Sequence, residues 1–168
     1  MIKYIDFDNV ILNTDEVLIR EYYNDGRTDH KCFNDDEFLI NYDYNKLLMK
    51  CDIINDAIHI IKRFDPKEVA IITKILSLDN EGKAKIEYLR KMGVKCNIYL
   101  VPEHAKKTDV VLAKGNILVD DSLHNMDDWA SQGGISIFFN KYNKNEDGWG
   151  NKNTKYDCTD TLQILDKY

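Results

Sequence analysis

Ile117-Leu118-Val119-Asp120-Asp121 is a short apolar run that stops abruptly at two acids. Such a run suits a buried strand, and the acids mark the end at which it reaches solvent. Working outward, the same shape recurs near the start, where Lys3 to Phe7 is apolar and aromatic and carries Asp6, with Asp8 just beyond. A third run, Val69-Ala70-Ile71-Ile72, begins after Glu68 and ends at Thr73. Further strands are expected at Val94–Leu100, which alternates, and at Ile135–Phe139. Helices are expected between them. Asp79–Met92 places Ile86, Leu89 and Met92 on one side and stops at Gly93; a turn over Thr108–Lys114 closes at Gly115. Trp129 lies on a short helix before Gly133-Gly134, and Thr161–Leu165 makes a final one. Strands alternating with helices predict an α/β fold, a mostly parallel sheet with flanking helices. Ligands of such sheets bind outside the carboxyl ends of the strands, a rule that gathers Asp6, Asp8, Thr73 and Asp120 on one rim.

Residues 13–65 interrupt this alternation. They are polar and aromatic, with a helical patch at Asp15–Tyr23 and a loop at Asn24–Asp36. Ile53, Ile54, Ala57, Ile58, Ile61 and Phe64 then recur at spacings of three and four, on a helix that stops near Asp65-Pro66. The expected organisation is a core of residues 1–12 and 66–168 with a small helical cap inserted at 13–65. Asn140–Lys155, rich in Asn, Lys and Gly, is expected to be a surface loop.

The chain has 168 residues and is 43% hydrophobic, enough for one domain with a small appendage. A formal charge of -6 gives no general attraction for a nucleic-acid polymer or an anionic membrane, though a local positive pocket still suits a small phosphorylated substrate. The first acids arrive before any run long enough for a signal peptide or membrane span, so a cytoplasmic location is the expectation. Cys32, Cys51, Cys96 and Cys158 form no CxxC pair and are expected to be free thiols. Leu162, Ile164 and Leu165 serve packing within the chain as readily as a dimer, so oligomeric state stays open.

Asp6 and Asp8 flank Phe7, and strand alternation would send them to opposite faces unless the chain bends after Asp6. Brought together with Asp120, they would repel one another unless a cation sat between them, and hard oxygen ligands at a phosphate site favour magnesium. Each residue taken singly also has an ordinary use. Asp6 and Asp8 suit a strand end, and Asp120-Asp121 suits the cap of the next helix. Thr73 offers a hydroxyl to a phosphate or to a helix end. Lys74 adds positive potential there or reaches into solvent. His104 and His124 near the rim serve as caps or polar contacts, and Phe7 and Trp129 as core. Tyr22, Tyr23, Phe33, Phe38, Tyr42 and Tyr44 suit either stacking on a substrate or burial within the cap. The acidic run Asp35-Asp36-Glu37 reads as solvated.

Four segments, in order, carry a resemblance: Asp6-Phe7-Asp8-Asn9-Val10, the strand-end Thr73, a lysine at Lys106 or Lys107, and Asp120-Asp121-Ser122-Leu123-His124-Asn125 followed by Trp129. Together they resemble the motifs of the haloacid dehalogenase-like phosphohydrolase superfamily and, within it, are similar to the 5'(3')-deoxyribonucleotidases. The resemblance runs from residue 2 to about residue 139. It implies a Rossmann-like core with a small helical cap after the first motif, and magnesium-dependent hydrolysis of a phosphomonoester, a deoxyribonucleoside monophosphate, through an aspartyl-phosphate intermediate. Asp6 would be the nucleophile, and Asp8 would protonate the leaving alcohol and later activate water. Asp6, the backbone carbonyl of Asp8 and the side chain of Asp120 would hold Mg2+, with Asp121 supporting them from behind. Thr73 and Lys107 would bind phosphate; Lys107 is preferred to Lys106 because Thr108-Asp109-Val110-Val111 follows it as in the family, and Lys74 would add charge. Two departures stand out. Asn9 replaces the common glycine, although Asn tolerates a left-handed backbone better than most residues, and Lys74-Ile75 stands where small residues are usual. Two other readings remain: a phosphatase of sugar phosphates or another small metabolite, and a non-catalytic phosphate-binding regulatory protein. A nucleophile paired with a proton donor argues against the last, since binding alone requires neither.

Overall fold

The apolar runs ending in polar residues form the centre of a parallel sheet. In a computed structural model of the chain, which describes residues 1–141 and 155–168, β1 (Lys3–Ile5) lies between β2 (Val69–Ile75) and β4 (Ile117–Asp120). Ile5 stands beside both Ile71 and Val119. With β3 (Asn97–Pro102), β5 (Ile135–Phe139) and β6 (Asp157–Thr159), the order is β3-β2-β1-β4-β5-β6, and every pair is parallel. The order reverses direction at β1 and β4. In doubly wound sheets that switch point opens the crevice where ligands sit.

Burial on both faces explains the near-continuous apolar strands. Ile5, Ile71, Val119 and Ile137 feed one apolar cluster, while their neighbours Tyr4, Ala70, Ile72 and Leu118 feed another with Trp129 on the opposite face. Trp129 is fully buried on α7 (Leu123–Ser131), and its indole N–H donates to the Asn116 carbonyl at 3.2 Å. Gly134 permits that packing, because a Cβ there would stand 2.2 Å from the indole nitrogen.

Between β1 and β2 lie α1 (Thr14–Asn24), α2 (Asp36–Asn41), α3 (Tyr44–Lys50) and α4 (Ala57–Arg63). The expected helix from Ile53 begins only at Ala57, because Asn55 and Asp56 have φ of 42° and 58° and break the helical path. α4 packs against the C-terminal 3-10 turn Leu162–Lys167, where Arg63 pairs with Asp166 at 3.0 Å. The expected helix from Asp79 is divided. A π-turn, Leu78–Gly82, closed by Gly82 N–H donating to the Ser77 carbonyl at 2.9 Å, precedes α5 (Lys83–Lys91). The strand expected from Val94 starts at Asn97, since the Arg90 guanidinium takes the carbonyls of Val94 and Cys96 at 2.7 and 2.9 Å. α6 is one short turn, Lys107–Val110, and the expected final helix is the 3-10 turn. Of the expected loop at 140–155, residues 142–154 lie outside the described ones. Among the described residues, no helix is long and apolar enough to cross a membrane.

Candidate active site

The chain turns sharply after β1. Asp6 N–H donates to the Val119 carbonyl at 2.9 Å, which seats it beside β4. Ile11 and Leu12 N–H then both reach back to the Phe7 carbonyl, at 2.9 and 3.3 Å. Asn9 completes this tight loop at φ 56°, the left-handed conformation that asparagine tolerates. Its side-chain N–H donates to Asp121 Oδ2 at 3.0 Å, and its Oδ1 accepts the Asp15 N–H at 3.3 Å. The loop therefore brings Asp6, Asp8 and the acids of β4 to one rim.

Asp6, Asp120 and Asp121 each offer a carboxylate oxygen within 4.8 Å of the others. Lys107, at the start of α6, reaches between two of them, donating to Asp6 Oδ1 at 2.5 Å and Asp120 Oδ2 at 2.6 Å. Burial works against charge on Lys107, yet Asp120 and Asp6 outweigh it and hold its pKa above the ordinary value. For Asp6 burial dominates: despite the pull of Lys107, desolvation together with Asp120 and Asp8 pushes its carboxyl up to about 7. Asp121 is likewise raised well above the carboxylate range, first by burial and then by Asp6 and Asp120. Three carboxylates around one ammonium leave excess negative charge, which one hard divalent cation would balance.

The oxygens differ in availability. Asp120 is fully buried and spent on protein donors: Lys107, the Ser122 N–H at 2.8 Å, and the Asn125 amide at 3.1 and 3.3 Å. Asp6 Oδ2 and Asp121 Oδ1 have no hydrogen-bond partner among the described residues. They are the open ligand atoms.

Asp8 stands beside this cluster with its side chain 31% exposed. Thr14 Oγ1 donates to Asp8 Oδ1 at 2.8 Å, and Lys85 Nζ to Oδ2 at 2.6 Å. Lys85, on α5, was not among the sequence candidates. It is fully buried and also donates to Glu81 Oε1 at 2.7 Å, Thr73 Oγ1 at 3.0 Å and the Lys74 carbonyl at 3.2 Å. Glu81 is fixed in turn by the Leu76 N–H at 2.8 Å. Burial raises the Glu81 pKa, against the pull of Lys85.

The other candidates divide. Thr73 joins the site, enclosed between Lys85 and Asp8. Lys106 points outward to Asp128 at 2.7 Å, and Lys74 reaches the Glu103 carbonyl at 3.0 Å rather than the acids. His104 is exposed, and His124 faces Asp128 on the surface at 3.6 Å. Between β1 and β2, Tyr22, Phe38 and Tyr42 pack on one another, with ring centroids 5.0 and 5.3 Å apart. Asp35 caps α2 by accepting the Phe38 N–H at 2.9 Å. Cys32, Cys51 and Cys96 are free thiols.

No protein-family model matches the sequence, and no curated protein matches it. Solved structures do. A haloacid dehalogenase-like family hydrolase from Streptococcus pneumoniae is similar over 98% of this chain and 96% of its own, with TM-score 0.66 and 13% identity. The HAD-hydrolase YfnB from Bacillus subtilis, solved bound to magnesium, covers 97% and 95%, with TM-score 0.63 and 15% identity. D,D-heptose 1,7-bisphosphate phosphatase from Burkholderia thailandensis covers 98% and 94%, with TM-score 0.54 and 14% identity. The chain thus has the fold of the haloacid dehalogenase-like hydrolases.

Proposed function

We propose that this chain hydrolyses phosphomonoesters through an aspartyl-phosphate intermediate formed on Asp6. One observation carries the reading: Lys107 binds one Asp6 oxygen while the other stays open at the rim, with Asp8 beside it. The open oxygen attacks phosphorus as the bond to the leaving alcohol breaks, and Asp8 supplies that alcohol with a proton. Water then attacks the aspartyl phosphate, Asp8 takes its proton, and the Asp6 carboxylate is regenerated. Lys107, with N–H capacity beyond its two acceptors, offsets charge on the phosphoryl oxygens. Thr73 adds a hydroxyl near Asp8.

The donor set fits magnesium. Asp6 and Asp121 offer open hard oxygens, and Asp8 its backbone carbonyl. Asp120, whose oxygen also lies in the cluster, fixes Lys107 as well, and Asp121 brings an open oxygen of its own to the set rather than only supporting it from behind. Bound magnesium would draw charge off the phosphoryl group and make attack by an anionic carboxylate feasible. The magnesium found with YfnB and the phosphatase activity of the heptose enzyme support both parts of this reading.

The motifs favour deoxyribonucleoside monophosphates. Tyr22, Phe38 and Tyr42, used on one another rather than left open, favour the second reading, a smaller ester such as a sugar phosphate. The free thiols of Cys32, Cys51 and Cys96 suit a cytoplasmic setting. The deciding experiment is a phosphate-release screen with and without magnesium, over deoxynucleotides and sugar phosphates. Activity is expected only with magnesium, to vanish in D6N and to fall by about 100-fold or more in D8N. Unchanged turnover in D6N would sink the covalent route.

A further inference from the structure

Tyr44 opens α3, the cap helix that packs over the π-turn and α5. It is 4% exposed, yet its hydroxyl has no hydrogen-bond partner among the described residues. The neighbouring cap phenols are used: Tyr22 donates to Asp29 and Tyr42 to Glu21, both at 2.6 Å. Among the described residues no fully enclosed side-chain oxygen or nitrogen lacks a partner, so the Tyr44 hydroxyl opens onto accessible space. Burial, with Glu81 and Asp8, keeps that hydroxyl protonated.

The core holds Tyr44 there. Its N–H donates to Asn80 Oδ1 at 3.3 Å, and Asn80 Nδ2 donates to the carbonyls of Ile40 and Tyr42 at 2.9 and 2.7 Å. The next residue, Glu81, secures Lys85 on Asp8. One π-turn therefore registers both Tyr44 and Asp8.

A buried polar group left without a partner favours any ligand that supplies one and disfavours an isostere that does not. We infer that the Tyr44 hydroxyl is the cap's hydrogen-bond contact with the alcohol departing next to Asp8, and that the preferred substrate is a phosphomonoester whose alcohol carries a further hydroxyl close to the ester. This rests on the phosphohydrolase reading and narrows it to a substrate class.

The test compares glycerol 3-phosphate with propyl phosphate, esters of equal chain length that differ in their hydroxyls. Wild type is expected to favour the hydroxylated ester by about tenfold in kcat/KM, the scale of one neutral hydrogen bond. Y44F should bring that ratio close to one. N80A, which releases the start of α3, should move it the same way. A wild-type ratio near one, or a ratio that survives Y44F, overturns the inference. Failure of the parent reading looks different: wild type would release no phosphate even from p-nitrophenyl phosphate. Calorimetric titration of the two esters into wild type and Y44F then still decides, with the same ratio expected in Kd and equal wild-type affinities overturning it.

Discussion

Lys107 and Lys85 are both buried lysines set between acids, and they are put to different uses. Lys107 has two acceptors, Asp6 and Asp120, and keeps donor capacity beside the open oxygen of Asp6. Lys85 has four acceptors within 3.2 Å for three N–H groups, namely Asp8, Glu81, Thr73 and the Lys74 carbonyl. An ammonium with a donor to spare is able to meet a phosphoryl oxygen. One that is fully subscribed holds its neighbours in place. Burial and charge are shared by the two, so the number of acceptors separates binding from bracing.

Substitution should pull the two apart. K107M is expected to lower kcat for phosphate release by roughly 10²–10³, the scale of losing one preorganised charge-stabilising donor. Turnover within tenfold of wild type would erase the contrast. K85M should register first in stability: urea denaturation is expected to show a loss of about 3–5 kcal/mol, because Asp8 and Glu81 lose their shared cation in a buried setting. Adding E81Q to K85M should return part of that loss; no recovery would mean that Glu81 does not share the pair. A third lysine calibrates the comparison. Lys50, on α3, pairs with Glu21 at 2.5 Å but is 34% exposed, and K50M is expected to cost no more than about 1 kcal/mol. Hydrogen bonds from Lys50 and Tyr42 hold the Glu21 carboxyl down to about 2 against an ordinary 4.5. Its stabilisation is therefore complete above the ordinary value and disappears as pH falls towards the lower one. Melting temperatures followed from about pH 5 to about pH 2 should fall less in K50M than in wild type; parallel curves would remove Glu21 from the acid response.

Lys107 was legible in the sequence and Lys85 was not, for a physical reason. An apolar strand ending in acid is readable from composition, and Lys107 was picked out through the motif resemblance, by the Thr108-Asp109-Val110-Val111 that follows it. A lysine inside a helix looks like a solvated one. Periodicity from Asp79 puts Ile86, Leu89 and Met92 inward, yet the buried side chains of α5 are Ala84, Lys85 and Leu89. The π-turn adds a residue to the helical path and so turns the helix that follows. Two signals hint at it: Glu81 and Lys85 are four apart, and Gly82 sits where a Cβ would come within 2.9 Å of Leu100. Asn55 and Asp56 shortened α4 through backbone conformations that apolar spacing does not reveal. β6 was not expected at all, because three residues at a sheet edge carry too little pattern. The standing of Asp120 against Asp121 depends on which lone pairs the fold occupies, information that exists only in three dimensions.

The ion pair from Lys107 to Asp6 spans 101 positions of chain. During synthesis Asp6 leaves the ribosome long before its partner has been translated, and β1 cannot acquire its neighbour β4 until later still. A nascent or truncated chain therefore carries Asp6 without the ammonium that pairs with it. Under the proposed mechanism reactivity arrives only with the last central strand, so a half-made chain is a silent one.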